Sequence, residues 1–272
     1  MSENKIKLLA EVIKRLSKID IYSIKIESKT DRIFDSKIGG IPYWSPDKNY
    51  PINSSGNKLY LLAQVNFEEE KVDFPLPKSG ILQFFIDDDL LGMNYDDQTK
   101  QDNFRVVYHE TIDYNMTKEA VEKLGAIDTK KAESFPINDE YKISLHKGID
   151  YVGLYDINFH KFFALAYKEV YNKDIKEDET IDDVLGEDEI YDLEKELETN
   201  ESRHKMLGYP IFSQEDPRNN EKYKDYDTLL LQIDSEGEYI LWGDVGVGNF
   251  FISKKALEEK DFSNVLYNWD CS

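Results

Sequence analysis

The sequence predicts an α+β fold with two related, mostly antiparallel β-rich halves, an N-terminal helix and an acidic helical insertion between the halves. Three observations predict it. The first is an internal match at a constant offset of 168. Residues 38–66 recur at 206–234, where Gly40 and Pro42 match Gly208 and Pro210, Ser45 matches Ser213, and Leu61, Leu62 and Gln64 match Leu229, Leu230 and Gln232. These six identities fall in 29 aligned positions, where roughly two are expected at average residue frequencies. After a two-residue slip, Gly80-x3-Phe84-Phe85-Ile86 lines up with Gly246-x3-Phe250-Phe251-Ile252. One long offset means two pseudo-equivalent halves, because a solenoid repeats every ~20–50 residues. The second observation is a series of apolar, β-branched runs punctuated by Gly and Pro, the pattern of strands joined by turns. The third is helical periodicity at the N-terminus and in the middle of the chain. No linker sets the halves apart, so the expectation is one globular domain over 1–272. The duplicated regions are about 30–115 and 203–272, with the insertion at about 155–201.

Each element has its own signal. In 4–18, Ile6, Leu9, Ile13 and Leu16 fall on one helical face between Lys and Glu. Residues 19–27 alternate and are β-branched, which predicts a strand. The Gly/Pro-rich stretch 39–51 predicts an ordered loop with Tyr43 and Trp44 tucked against the body. Residues 58–66, 81–87 and 103–108 predict strands, with a turn at 75–80. Thr117 is placed to cap a helix over 118–124, and Gly125 to end it in a left-handed conformation. A short strand is expected at 140–145 and a helix at 158–171, on the spacing of Phe159, Phe162, Phe163, Ala166 and Val170.

Residues 174–201 hold 14 acids against Lys176 and Lys195, a net charge of −12. An apolar stripe runs through them (Ile181, Val184, Leu185, Ile190, Leu193, Leu197), so they predict one or two solvated helices broken at Gly186. The second half repeats the scheme. Strands are expected at 226–234, 239–242 and 249–253, with a glycine turn at 243–248, a helix over 254–259 and a docked aromatic tail at 262–269.

The net charge of −21 excludes classes of partner. Nucleic-acid binding needs clustered Lys and Arg, and docking on an anionic membrane needs basic patches. Such acidity suits a soluble protein, or one with a basic partner. The start of the sequence lacks a signal-peptide core, no run reaches the ~18 apolar residues of a membrane span, and Cys271 is the sole cysteine. The expected location is the cytoplasm.

The search for chemistry yields little. The glycines at 243–248 precede a β-type Phe-Phe-Ile, whereas a phosphate loop opens a helix, so a hairpin turn fits better. The histidines His109, His146, His160 and His204 have no spacing for a metal pair, and no metal or cofactor is expected. Asp87-Asp88-Asp89 departs from the EF-hand pattern, since Leu91 takes the fifth place. Gln64 and Gln232 stand at matching ends of apolar strands, where a buried amide must be satisfied. Each either ties down its Gly-x-Pro loop or contacts a ligand. Trp242 and Asp244 flank the glycine turn beside a groove expected between the halves, and His204 lies just before the second Gly-x-Pro loop. These five form the candidate ligand-binding set, and no catalytic residue is assigned.

Read together, Gly39-Gly40-Ile41-Pro42, Leu62-Ala63-Gln64-Val65-Asn66, Leu207-Gly208-Tyr209-Pro210, Leu230-Leu231-Gln232-Ile233-Asp234 and Trp242-Gly243-Asp244-x-Gly246 form an ordered series. That series resembles the YwqG-like family, a widespread bacterial family without an established function. The resemblance spans about residue 30 to the C-terminus. It implies an α+β fold, supplies no catalytic residues, and suggests immunity or partner binding, because some members are encoded near secreted-toxin modules. The expected function is therefore a non-enzymatic protein binder with a basic partner. The alternative is a small-ligand binder or enzyme using a cleft between the halves.

Overall fold

The computed structural model describes residues 3–176, 178–197 and 203–272. The expected acidic helices run to residue 201, so Glu177 and the stretch 198–201 of that expectation lie outside the described residues. In chain order the elements are α1 (Glu3–Ser17), β1 (Ile19–Lys29), β2 (Lys37–Ile38), β3 (Tyr60–Asn66), β4 (Ile81–Ile86), β5 (Phe104–His109), α2 (Lys118–Lys123) and β6 (Tyr141–Asp150). They continue with α3 (Phe159–Tyr171), α4 (Ile181–Val184), α5 (Glu187–Leu197), β7 (Lys205–Met206), β8 (Thr228–Asp234), β9 (Val247–Ile252), α6 (Lys254–Glu259) and β10 (Leu266–Asp270).

The ten strands form one sheet, ordered β10-β9-β8-β7-β1-β6-β2-β3-β4-β5, and every pairing is antiparallel. The sheet curls until its edges face each other. Phe104 on β5 lies 5.2 Å from Tyr267 on β10, and the Tyr267 amide donates to the Gln98 carbonyl at 3.0 Å. A sheet bent this far nearly closes as a barrel, which shelters both edge strands. Its interior holds the main core, where Leu62, Phe84, Ile86, Leu230, Phe250 and Ile252 meet. Its outer faces are covered as well. This explains why β3, β4, β8 and β9 are apolar runs rather than alternating ones.

The expected helices sit close to where periodicity put them. The Thr117 side chain accepts from the Ala120 amide at the start of α2, and Gly125 takes φ +116° beyond its end. Helices α1, α3 and α5 pack together through Ile6, Leu9, Ile13, Phe163, Leu193 and Leu197. No helix among the described residues is long and apolar enough to cross a membrane.

Several expectations are corrected. The strand expected at 239–242 is a turn, because Glu236 and Ile240 exchange backbone hydrogen bonds at 2.9 and 3.3 Å. The expected docked tail contains β10, fully paired with β9. The short strand expected at 140–145 runs to Asp150, because β1 pairs with β6 along its length.

Candidate functional site

The two Gly-x-Pro loops wrap the outer face of the sheet, and each is held by an amide side chain. Gln64 is wholly buried. Its Nε2 donates to the Ile33 and Asp35 carbonyls (2.8 and 2.9 Å), and its Oε1 accepts from the Tyr43 amide (3.0 Å) and from Gln83 Nε2 (2.7 Å). Gln83 also donates to the Tyr43 carbonyl at 2.7 Å. In the second half, Gln232 Oε1 accepts from the Ile211 amide and its Nε2 donates to the Arg203 carbonyl, both at 2.8 Å. Asn249 Nδ2 donates to the Ile211 carbonyl at 2.9 Å. Both glutamines therefore spend their amides on backbone, the commonest use of a buried amide.

Beside each glutamine lies a buried lysine that the internal match stopped one residue short of finding. Lys37 pairs with Gln64 across β2–β3, and Lys205 pairs with Gln232 across β7–β8. Lys37 Nζ meets Glu140 and donates to the Ile41 carbonyl at 2.6 Å. Burial pulls the lysine down and pushes the glutamate up, each offset by the other's charge. Lys205 Nζ donates to Asp150 Oδ2 at 2.8 Å, and the same oxygen accepts from the Tyr209 amide at 3.0 Å. Extending the alignment back from residues 38 and 206 reveals these lysines as a further identity at offset 168.

The two loops differ in what covers them. In the first half Tyr43 and Trp44 are sealed in, with Trp44 packed among Val121, Ala126 and Phe85. The corresponding Ile211 is 43% exposed. It opens onto a cavity of about 510 Å³ bounded by the 209–212 loop, Asp150, Lys205, Tyr155 and Glu194. Tyr209 donates to the Ser17 carbonyl at 2.8 Å, and burial, with Asp156 and Asp150, pushes its phenol up to about 12. The cavity thus combines a buried ion pair at its base, aromatic walls and a carboxylate of α5 at its side.

A family model described as a domain of unknown function (DUF1963) matches residues 36–271. The chain belongs to this family. No curated protein matches it. The DUF1963 region takes in both loops, both lysine–carboxylate pairs and the cavity, while α1 and β1 precede it.

Within the DUF1963 region, the five residues expected to bind ligand do not converge. Gln64 and Gln232 stand on β3 and β8, with β2, β6, β1 and β7 between them. Neither lines the 510 Å³ cavity, and nor do Trp242, Asp244 or His204. Trp242 is fully buried in the main core, its ring 6.3 Å from Trp269, whereas Asp244 is exposed on the glycine turn. His204 is buried. Its Nδ1 accepts from the Asp234 amide (3.0 Å), so Nε2 carries the proton toward Glu236 (2.6 Å). Burial holds this imidazole below its ordinary pKa despite the glutamate. Among the described residues no group of three or more His, Cys, Asp or Glu has metal-site geometry.

Proposed function

We propose that this DUF1963 protein is a non-enzymatic, cytoplasmic protein binder that docks a basic partner on the acidic face of α4–α5. The observation that carries the reading is the placement of charge on a fixed support. Leu185, Leu193 and Leu197 anchor the helices in the core shared with α1 and α3. On the outer side Asp182, Glu187, Asp188 and Asp192 are exposed and, among the described residues, enter no ion pair. Unneutralised carboxylates on a rigid face steer a cationic partner and set its orientation. The adjoining 510 Å³ cavity offers that partner an apolar foothold. The resemblance to YwqG-like proteins supports the same direction, toward immunity or partner regulation.

The reading includes an internal duplication. Its support is the strand order, in which β2-β3-β4-β5 and β7-β8-β9-β10 flank the central β6–β1 pair in mirrored sequence. Bulges at Leu61/Ala63 and Leu229/Leu231 repeat the offset of 168. A small-ligand reading draws on one observation, that the cavity volume falls within the ~300–1,000 Å³ of small-molecule sites.

A tagged pull-down at about 50 and about 300 mM salt, bracketing the screening range, tests the docking face. Wild type retains a stoichiometric basic protein at low salt only, and the variant D182N/E187Q/D188N/D192N loses it. Equal retention by that variant at low salt removes the acidic face from the function.

A further inference from the structure

A second cavity, of about 310 Å³, lies on the outer face of the second half, bordered by Ile19, Tyr22, Phe74, Leu207, Thr228 and Lys254. The corresponding place in the first half is filled by the protein's own chain. There the strap 133–139 crosses β2 and β3 on three supports. Phe135 packs on Tyr60 with ring centroids 5.9 Å apart, and Tyr60 Oη donates to the Lys131 carbonyl. Asp88 Oδ2 accepts from the Glu133 amide at 3.0 Å. Gly39 lies directly under Ile137 and the Asp139 carbonyl, with no room for a Cβ.

The corresponding residues are Thr228 for Tyr60, Lys254 for Asp88 and Leu207 for Gly39, at offsets of 168, 166 and 168. All three border the second cavity. Leu207 holds φ +67° without being glycine. Leucine disfavours that conformation, and residues held there concentrate at functional sites. The cavity rim keeps apolar surface in water, with Phe74 66% and Ile19 41% exposed.

The geometry points to a docking site for an extended aromatic–proline–aliphatic segment of a partner protein, seated as Phe135-Pro136-Ile137 is seated in the first half. The occupant is defined by the counterpart. Three support positions recur in place while the strap over them does not, and the space left is apolar with a Lys254 that enters no ion pair among the described residues. Extended segments of this kind bind at low conformational cost, because proline pre-sets the backbone. The inference rests on the correspondence of the two halves and not on the acidic face.

The probe is a capped peptide of residues 132–138, titrated into the isotope-labelled full chain and followed by backbone amide NMR. Saturable shifts are expected at Ile19, Leu207, Thr228 and Leu229. A Phe135→Ala peptide loses at least about tenfold in affinity, the equivalent of burying one Phe side chain. Filling the cavity by Thr228→Trp abolishes the shifts in a protein whose circular dichroism is unchanged. If that variant fails to fold, the Phe135→Ala peptide on wild type remains the test. The inference is overturned by shifts that do not saturate up to about 5 mM, above the millimolar constant of a single short segment. It is also overturned if phenylalanine amide binds as tightly as the peptide, making this a small-ligand pocket. A protein that dimerises alone with the same residues perturbed overturns it too, since a second copy is then the occupant. D182N/E187Q/D188N/D192N leaves the titration unchanged, so the two readings fail separately.

Discussion

Replacing Gln64 with Leu keeps side-chain volume close and removes an amide that four groups use. Three of those groups are backbone: the Ile33 and Asp35 carbonyls and the Tyr43 amide. The fourth, Gln83 Nε2, keeps its bond to the Tyr43 carbonyl. A buried backbone group without a partner costs ~1–3 kcal/mol, so three cost about 3–6 kcal/mol once relaxation is allowed for. Gln232→Leu strands only the Ile211 amide and the Arg203 carbonyl, about 2–4 kcal/mol. Urea unfolding followed by tryptophan fluorescence reads the difference. With a slope near ~3 kcal/mol/M, the Gln64 variant's midpoint falls by roughly 1–2 M and the Gln232 variant's by about two-thirds of that. A loss below about 0.3 M at Gln64, or a larger loss at Gln232, refutes the account of these amides as loop anchors and returns them to the candidate ligand set.

Two further outcomes follow from the geometry. Burial, with Lys48 nearby, holds His109 down at about 4. The folded state therefore binds the proton more weakly than the unfolded chain, whose histidine titrates near 6.5. The stability this gives is complete above about 6.5 and is lost as pH falls toward 4, up to about 3 kcal/mol in all. His109→Gln flattens the difference between the two pH–stability curves over that window, and parallel curves refute the assignment. Gly40 and Gly56 both hold positive φ (+75° and +85°), but an added Cβ at Gly40 runs into the Glu140 side chain while at Gly56 it meets open space. Gly40→Ala is expected to cost at least about 3 kcal/mol, since it also displaces a carboxylate paired with buried Lys37, against about 1 kcal/mol for Gly56→Ala. Equal melting temperatures for the two variants contradict this.

Much of the architecture is legible in the sequence, for reasons particular residues make plain. Ile6, Leu9 and Ile13 announce α1 because one face of a surface helix must be apolar. Gly40, Pro42 and Gln64 announce a loop–strand unit because their matches at offset 168 preserve the same geometry. Short strands escape such reading. β2 and β7 are two residues each, too short for any period, and exist because Lys37 and Lys205 pair with the strands holding the glutamines. The tail at 266–270 shows aromatic character, but only its register against β9 makes it a strand. Trp242, read as flanking a groove, is core because Gly248 leaves room for its ring. Neither cavity was legible, since each is bounded by residues from distant parts of the chain that nothing local links.

The position of β1 has a consequence for how this molecule is assembled. β1 is formed from the first thirty residues yet sits at the middle of the sheet, between β6 and β7. Its partners are synthesised much later, so the seam joining the two halves closes only after β6 and β7 have emerged. Until then β1 carries a row of unpaired amides and carbonyls along an apolar segment, the kind of edge that invites pairing with other chains. Non-local closure of this sort also slows folding. The amphipathic α1, directly ahead of β1, must likewise wait for α3 and α5 to bury its apolar face. The strong negative charge of the chain then takes on a second meaning, as like-charge repulsion keeping nascent molecules apart while the centre of the sheet stands open.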